Sequence, residues 1–242
     1  MMILTFSCAL TLDSVNNFRV SRESFFPLST ETSWLTVIMG ILFLTLFLII
    51  TIIYYLKLQR KVALVKEALR YIERYDPFWR KEYLYSTVKK AFFEVLKAWS
   101  NIDKAALRSR LTPELYSRWE KRMNRMEEVR QREVIWDIEL KRIMFIDIRD
   151  YTDDSLDRFT ARIRYRAVRY TVNYEGEWMK PAWEENIDPN PGMEQKEYIE
   201  FWTFARSESD WKVAAVEQEW KEGDYLNSEP VLLDKKYDRE EV

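Results

Sequence analysis

Histidine is absent from this 242-residue chain, and cysteine occurs once, as Cys8. The first absence removes the commonest general base and the commonest metal ligand together. The second rules out an intrachain disulfide and a cysteine-built metal centre. No metal and no cofactor is therefore expected. Glycine is scarce, at four residues, which leaves little material for glycine-rich phosphate loops or positive-φ turns. Aromatic residues, by contrast, make up 15% of the chain and hydrophobic residues 47%. That is the composition of a packed domain, not of a disordered one.

Charge is missing from one stretch altogether. Residues 34–56 open on Trp34, close on Tyr54, Tyr55 and Leu56, and contain no charged side chain. As a helix rising ~1.5 Å per residue the run spans ~34 Å, enough to cross a bilayer with slight tilt. Its terminal aromatics fall where amphipathic rings prefer the membrane interfaces. Thr36, Thr45 and Thr51 make no polar stripe of the kind a surface helix carries. A core helix of a soluble protein is the alternative reading. The run divides the chain into an extension (1–33), a span (34–56), a basic amphipathic juxtamembrane helix (57–76), a globular domain (77–220) and an acidic tail (221–242). Residues 1–12 are apolar but short and lack a basic leader, so a secretory signal is not expected there.

Net charge is only −2, but residues 57–133 carry 20 Lys/Arg against 11 Asp/Glu, and residues 181–242 carry 7 against 17. A basic segment beside a span attracts anionic headgroups, at ~1 kcal/mol per well-placed cation. Lys57, Arg60 and Lys61, the first cations after the run, are the candidate headgroup ligands; a solvated helix surface is the plainer reading. Arg19 and Arg22 precede the span, while Lys57, Arg60, Lys61, Lys66, Arg70 and Arg74 follow it. This bias predicts a domain on the cytoplasmic face of an inner membrane, or on the matrix face in a mitochondrion.

Leu58, Val62, Val65, Leu69 and Ile72 recur at alternating four- and three-residue steps, predicting that the helix continues past the bilayer until Asp76-Pro77 stops it. Such a stripe serves a partner helix, a headgroup layer or the chain's own domain. Helices are predicted over 82–99, 101–111 and 113–130, the last opened by Thr112-Pro113-Glu114. After Arg132 the period becomes two. Strands are predicted over 133–150 with a phase break near Lys141-Arg142, over 159–172, over 198–206 and over 211–220, with a loop at 174–194 and a frayed polar end from Lys221. The expected architecture is α+β: about three helices packed on a curved antiparallel sheet of about four strands, behind one transmembrane helix.

Two blocks carry a resemblance. The first is Ala91-Phe92, Trp99, Asp103, Leu107, Leu111-Thr112 and Leu115-Tyr116; the second is Glu200-Phe201-Trp202-Thr203-Phe204-Ala205-Arg206, then Trp211 and Glu217-Gln218. Over roughly residues 77–218 the chain resembles the Tim-forty-four-like domain. The resemblance implies a cone-like member of the nuclear transport factor two-like class, with a concave sheet and a hydrophobic cavity. It also implies a non-catalytic module that binds membranes and protein partners. The chain departs from the mitochondrial import-motor anchor in having its own span and no long charged chaperone-recruiting region, so a motor-tethering role does not carry over. The function expected is a membrane-anchored scaffold or binding module, interacting with protein partners and anionic lipid. The alternatives are a subunit of a membrane secretion or translocation complex, and a small-ligand-binding or enzymatic domain.

One polar pattern stands out. Arg162, Arg164 and Arg166 alternate along a predicted strand, which sets them on one face about 7 Å apart. They suit phosphates or, more simply, carboxylates on neighbouring strands, for which Asp147, Glu200 and Glu217 are the candidates. Nucleic acid is not an expected partner, since the chain is not basic overall and carries no recognition motif. Tyr165, Asp147 and Glu217 can be assembled into a catalytic set on paper, as can any three polar residues, and the histidine of an Asp–His pair is absent.

Overall fold

The structure, a computed structural model, describes residues 30–173, 194–208 and 210–234. The N-terminal extension up to residue 29, with Cys8, Arg19 and Arg22, lies outside the described residues, as do loop residues 174–193 and tail residues 235–242. The chain falls into two compact units, residues 1–50 and 51–242.

Helix α1 runs Thr30–Ile72 without a break. Every side chain from residue 34 to residue 53 is exposed. It is the one helix among the described residues long and apolar enough to cross a membrane, and none of its most apolar window is buried. That exposure speaks against a core helix of this chain and suits a membrane span. The Thr45 hydroxyl donates to the Leu42 carbonyl at 2.9 Å, which satisfies it within the helix.

The stripe beyond the apolar run docks on the chain's own domain. Val65, Leu69 and Ile72 are 1%, 2% and 0% exposed and belong to the main core. Leu58, with Val62 beside it, belongs to a second cluster with Met144, Ile146 and Phe201. The helix stops where expected. Asp76 accepts from the Phe78 amide at 2.9 Å and caps a 3-10 turn at Pro77–Trp79.

Helices α2 (Lys81–Ser100), α3 (Lys104–Arg110) and α4 (Pro113–Glu128) follow. Asp103 caps α3 through the Ala106 amide, so this helix starts three residues later than expected; Thr112 caps α4 through the Leu115 amide, with Pro113 in the first turn, as the sequence pattern predicts. The strands are β1 (Gln131–Asp150), β2 (Arg158–Asn173), β3 (Lys196–Arg206), β4 (Trp211–Gln218) and β5 (Val231–Leu233), in the order β4-β3-β2-β1-β5. The first four pair antiparallel; β5 lies parallel to β1 at residues 148–150. Among the described residues the sheet has five strands, the short β5 adding to the roughly four expected. The end predicted to fray forms a helix, α5 (Glu222–Asn227), and then β5.

Strand β1 carries register shifts between Trp136/Glu139, Leu140/Arg142 and Phe145/Asp147, the second being the predicted phase break. Such irregularities bend a strand and increase its twist. On one face of the sheet Phe159, Ala161, Ile163, Tyr165, Trp202 and Phe204 are fully buried with helices α2 to α4 in the main core. Phe159 stacks on Phe204 with ring centroids 4.8 Å apart. The other face holds the second cluster and the arginine row.

Arg206 ties β3 to two loops. Its guanidinium reaches Asp76, Asp157 at 3.0 Å and Asp154 at 3.3 Å. Burial pushes the Asp157 carboxyl up to about 6, against the hydrogen bond from the Tyr151 amide and with help from Asp150. Between about pH 4 and 6 the folded chain therefore holds a proton on Asp157 that the unfolded chain has released. This group's stabilisation is full below the ordinary aspartate value of 3.8 and is lost as pH rises through about 6. Asp157→Asn should flatten the dependence of Tm on pH across that window; an unchanged slope would assign the titration elsewhere.

Candidate functional site

The cations singled out in the sequence divide into committed and open groups. Arg162 is 7% exposed; its Nε donates to Glu222 Oε1 at 2.6 Å and its Nη2 to the Tyr54 hydroxyl at 3.4 Å. Lys61 is 4% exposed and donates to the carbonyls of Tyr225 and Ser228 and to Ser228 Oγ. Those carbonyls lie at the C-terminal end of α5, where a cation is favoured. Lys57 Nζ donates to Asn227 Oδ1 at 3.3 Å, and Arg60 is exposed. Lys57, Lys61 and Arg162 thus converge on α5, bracing it between α1 and the outer face of the sheet.

Arg164 and Arg166 are exposed. Arg164 pairs with Glu197 at 2.6 Å, while Arg166 stands between Glu139 on β1 and Glu197 on β3 in the strand register. The row faces carboxylates, but Glu197 and Glu222 in place of the three acids named from sequence. Asp147 pairs with Arg149 at 3.2 Å, Glu217 accepts from the Tyr225 hydroxyl, and Glu200 lies on the opposite face.

That opposite face carries a buried polar chain. The Tyr165 hydroxyl donates to Glu200 at 2.8 Å, as does the Trp202 indole at 2.9 Å. Arg169 bridges Glu200 at 3.0 Å and Glu133 at 2.8 Å, and the Trp99 indole donates to Glu133 at 2.9 Å. Burial and then the Glu200 charge push the Tyr165 phenol far above its usual range, so it stays a protonated donor. Burial works against the Glu133 carboxylate, yet Arg169 and Trp99 outweigh it and hold the group below its ordinary value. Tyr165, Asp147 and Glu217 are not brought together. The acids Asp76, Asp154 and Asp157 have the mutual spacing of a cation site, but the Arg206 guanidinium already pairs with all three.

Among the described residues a groove of about 490 Å³ between α1, the start of α2 and β1 has room for a ligand and carries cations at its rim. Val62, Val65, Leu69, Ile143, Met144 and Phe145 supply apolar walls; Lys66, Lys81 and Arg142 supply cations, with Glu82 and Tyr85 alongside. It fits a molecule with an apolar chain and an anionic end. Lys81 and Arg142 were not legible as site residues, because three separate elements bring them together; the break in period at Arg142 was the only hint.

The two kinds of ion pair should respond differently to truncation. Glu222→Ala leaves Arg162 buried without its carboxylate and should cost about 3–5 kcal/mol. Glu197→Ala, which breaks an exposed pair, should cost under about 1 kcal/mol. Denaturant midpoints of the detergent-solubilised chain check this, and equal losses would contradict the burial of Arg162.

A family model described as the Tim44-like domain matches residues 65–218. The match begins inside α1, not at residue 77, in keeping with the core positions of Val65, Leu69 and Ile72. No curated protein matches the chain. One similar solved structure is the crystal structure of the intermembrane space region of chloroplast protein ARC6. It is 14% identical, covering 55% of this chain and 97% of that one at a TM-score of 0.31, too low to carry an argument. With its family model matched over well more than half its length, the chain belongs to the Tim44-like domain family.

Proposed function

We propose that this chain is a single-span membrane protein whose Tim44-like domain works as a non-catalytic scaffold at the membrane surface, engaging protein partners and anionic phospholipid. The observation that carries the lipid part is the groove, where Lys66, Lys81 and Arg142 stand over apolar walls. Two of its wall residues, Val62 and Val65, lie on the same helix as the apolar run and within ten residues of its end. A headgroup phosphate meets the cations while an acyl chain lies along the walls. Of the cations named from sequence, Lys57, Arg60, Arg164 and Arg166 are exposed and add to the attraction. Arg162 and Lys61 instead hold the scaffold together. The excess of Lys and Arg after the span supports a domain on the cytoplasmic face of an inner membrane, or on its matrix-side equivalent.

Native mass spectrometry of the full-length chain in detergent tests the lipid reading. Anionic phospholipid should be retained over zwitterionic phospholipid of the same chain length. Replacing Lys66, Lys81 and Arg142 together by glutamine should weaken retention by up to about 100-fold, at ~1 kcal/mol per cation. Equal retention of both lipids, or a variant that binds as before, would contradict it. The anchor is tested separately: the chain should remain in carbonate-washed membranes, and release into the supernatant would exclude a span.

A further inference from the structure

Trp220 is 74% exposed, more than Phe43 of the apolar run at 73%. In residues 51–234 the other described tryptophans, Trp79, Trp99, Trp119, Trp136, Trp202 and Trp211, are buried or half-buried. Single exposed apolar side chains are common and call for no explanation by themselves. The position of this one does.

Three contacts fix the path of the segment beside α1. Glu222 shares Arg162 with the Tyr54 hydroxyl, Asn227 accepts from Lys57, and the Tyr225 and Ser228 carbonyls accept from Lys61. Going forward along α5, the partners on α1 therefore move from residue 54 to residue 61, about 10 Å further from the apolar run. The 3-10 turn Glu219–Lys221 leads directly into α5, so the same path continued backward from Glu222 points the other way, toward the run. Trp220 precedes Glu222 by two residues, a reach of at most ~7 Å. Trp220 thus stays close to the level of Tyr54, whose hydroxyl shares Arg162 with Glu222 at the end of the apolar run; the headgroup layer beside such an end is about 5–8 Å thick. Lys221 holds its ammonium 4.9 Å from the Trp220 ring centroid. An indole with a neighbouring ammonium is the side-chain pair that favours this layer.

We propose that Trp220, with Lys221, makes a second and peripheral contact with the bilayer that α1 spans. The inference rests on the reading of α1 as a membrane span. Glu219 and Asp224 flank the pair and are exposed, so the contact is an interfacial one through the indole ring and does not call for anionic lipid.

The test uses the full-length chain in lipid nanodiscs, on a Cys8→Ser background, with nitroxide labels attached at Leu48→Cys, Leu156→Cys and Trp220→Cys in separate samples. Accessibility to oxygen and to a water-soluble nickel chelate reports depth. The label at 48 should be protected from the chelate, the label at 156 fully open to it, and the label at 220 shifted toward oxygen relative to 156. If 48 is protected while 220 matches 156, the peripheral contact is wrong and the span stands. If 48 is also open to the chelate, both are wrong.

Discussion

The burial of Val65, Leu69 and Ile72 in the domain core is the constraint from which the rest follows. Each such side chain stabilises by roughly 1.5–3 kcal/mol when fully removed from water. Their combined gain is of the same size as the whole net stability of a typical domain, about 5–15 kcal/mol, so losing it would unfold the chain. The last turns of α1 are thus not a leash but part of the fold they follow. The start of the family match at residue 65 is consistent with this, since a core with an empty place for that helix would not close.

Docking the helix also decides what happens on the outer face of the sheet. Met144, Ile146 and Phe201 need cover, and α5 supplies it together with Leu58. The polar groups trapped there are paired with each other: Arg162 with Glu222, Lys61 with the carbonyls at the end of α5. Buried ion pairs add little net stability, but losing one partner is costly. Their effect is to fix one register of α5 against α1. Lys66, Lys81 and Arg142 beside the groove, by contrast, are exposed. Within the basic region that follows the apolar run, the fold thus buries Lys61 against α5 and leaves Lys66 and Lys81 exposed.

Much of this was legible in the chain itself. The alternation of Phe159, Ala161, Ile163, Tyr165 and Ala167 has only one physical reading, and β2 follows it. Thr112-Pro113 opens a helix because one side chain satisfies an amide and the other lacks one. What could not be read depends on distance in sequence. The partner of Arg162 is 60 residues away on a six-residue helix, too short for any period to be visible. Strand β5 has three residues and no alternation to betray it. Pairing across neighbouring strands was a sound expectation for the arginine row, and it holds for Arg164; at Arg162 a helix lying across the face displaced it.

Hydrogen exchange on the full-length chain in detergent micelles tests most directly whether α1 ends as part of the domain. Amides of residues 65–72 should exchange as slowly as those of β2 and β3 and lose protection with them in denaturant, as one cooperative unit. Exchange in this stretch that is fast, or that rises well before β2 opens, would mean the helix and the domain are joined only by the chain between them.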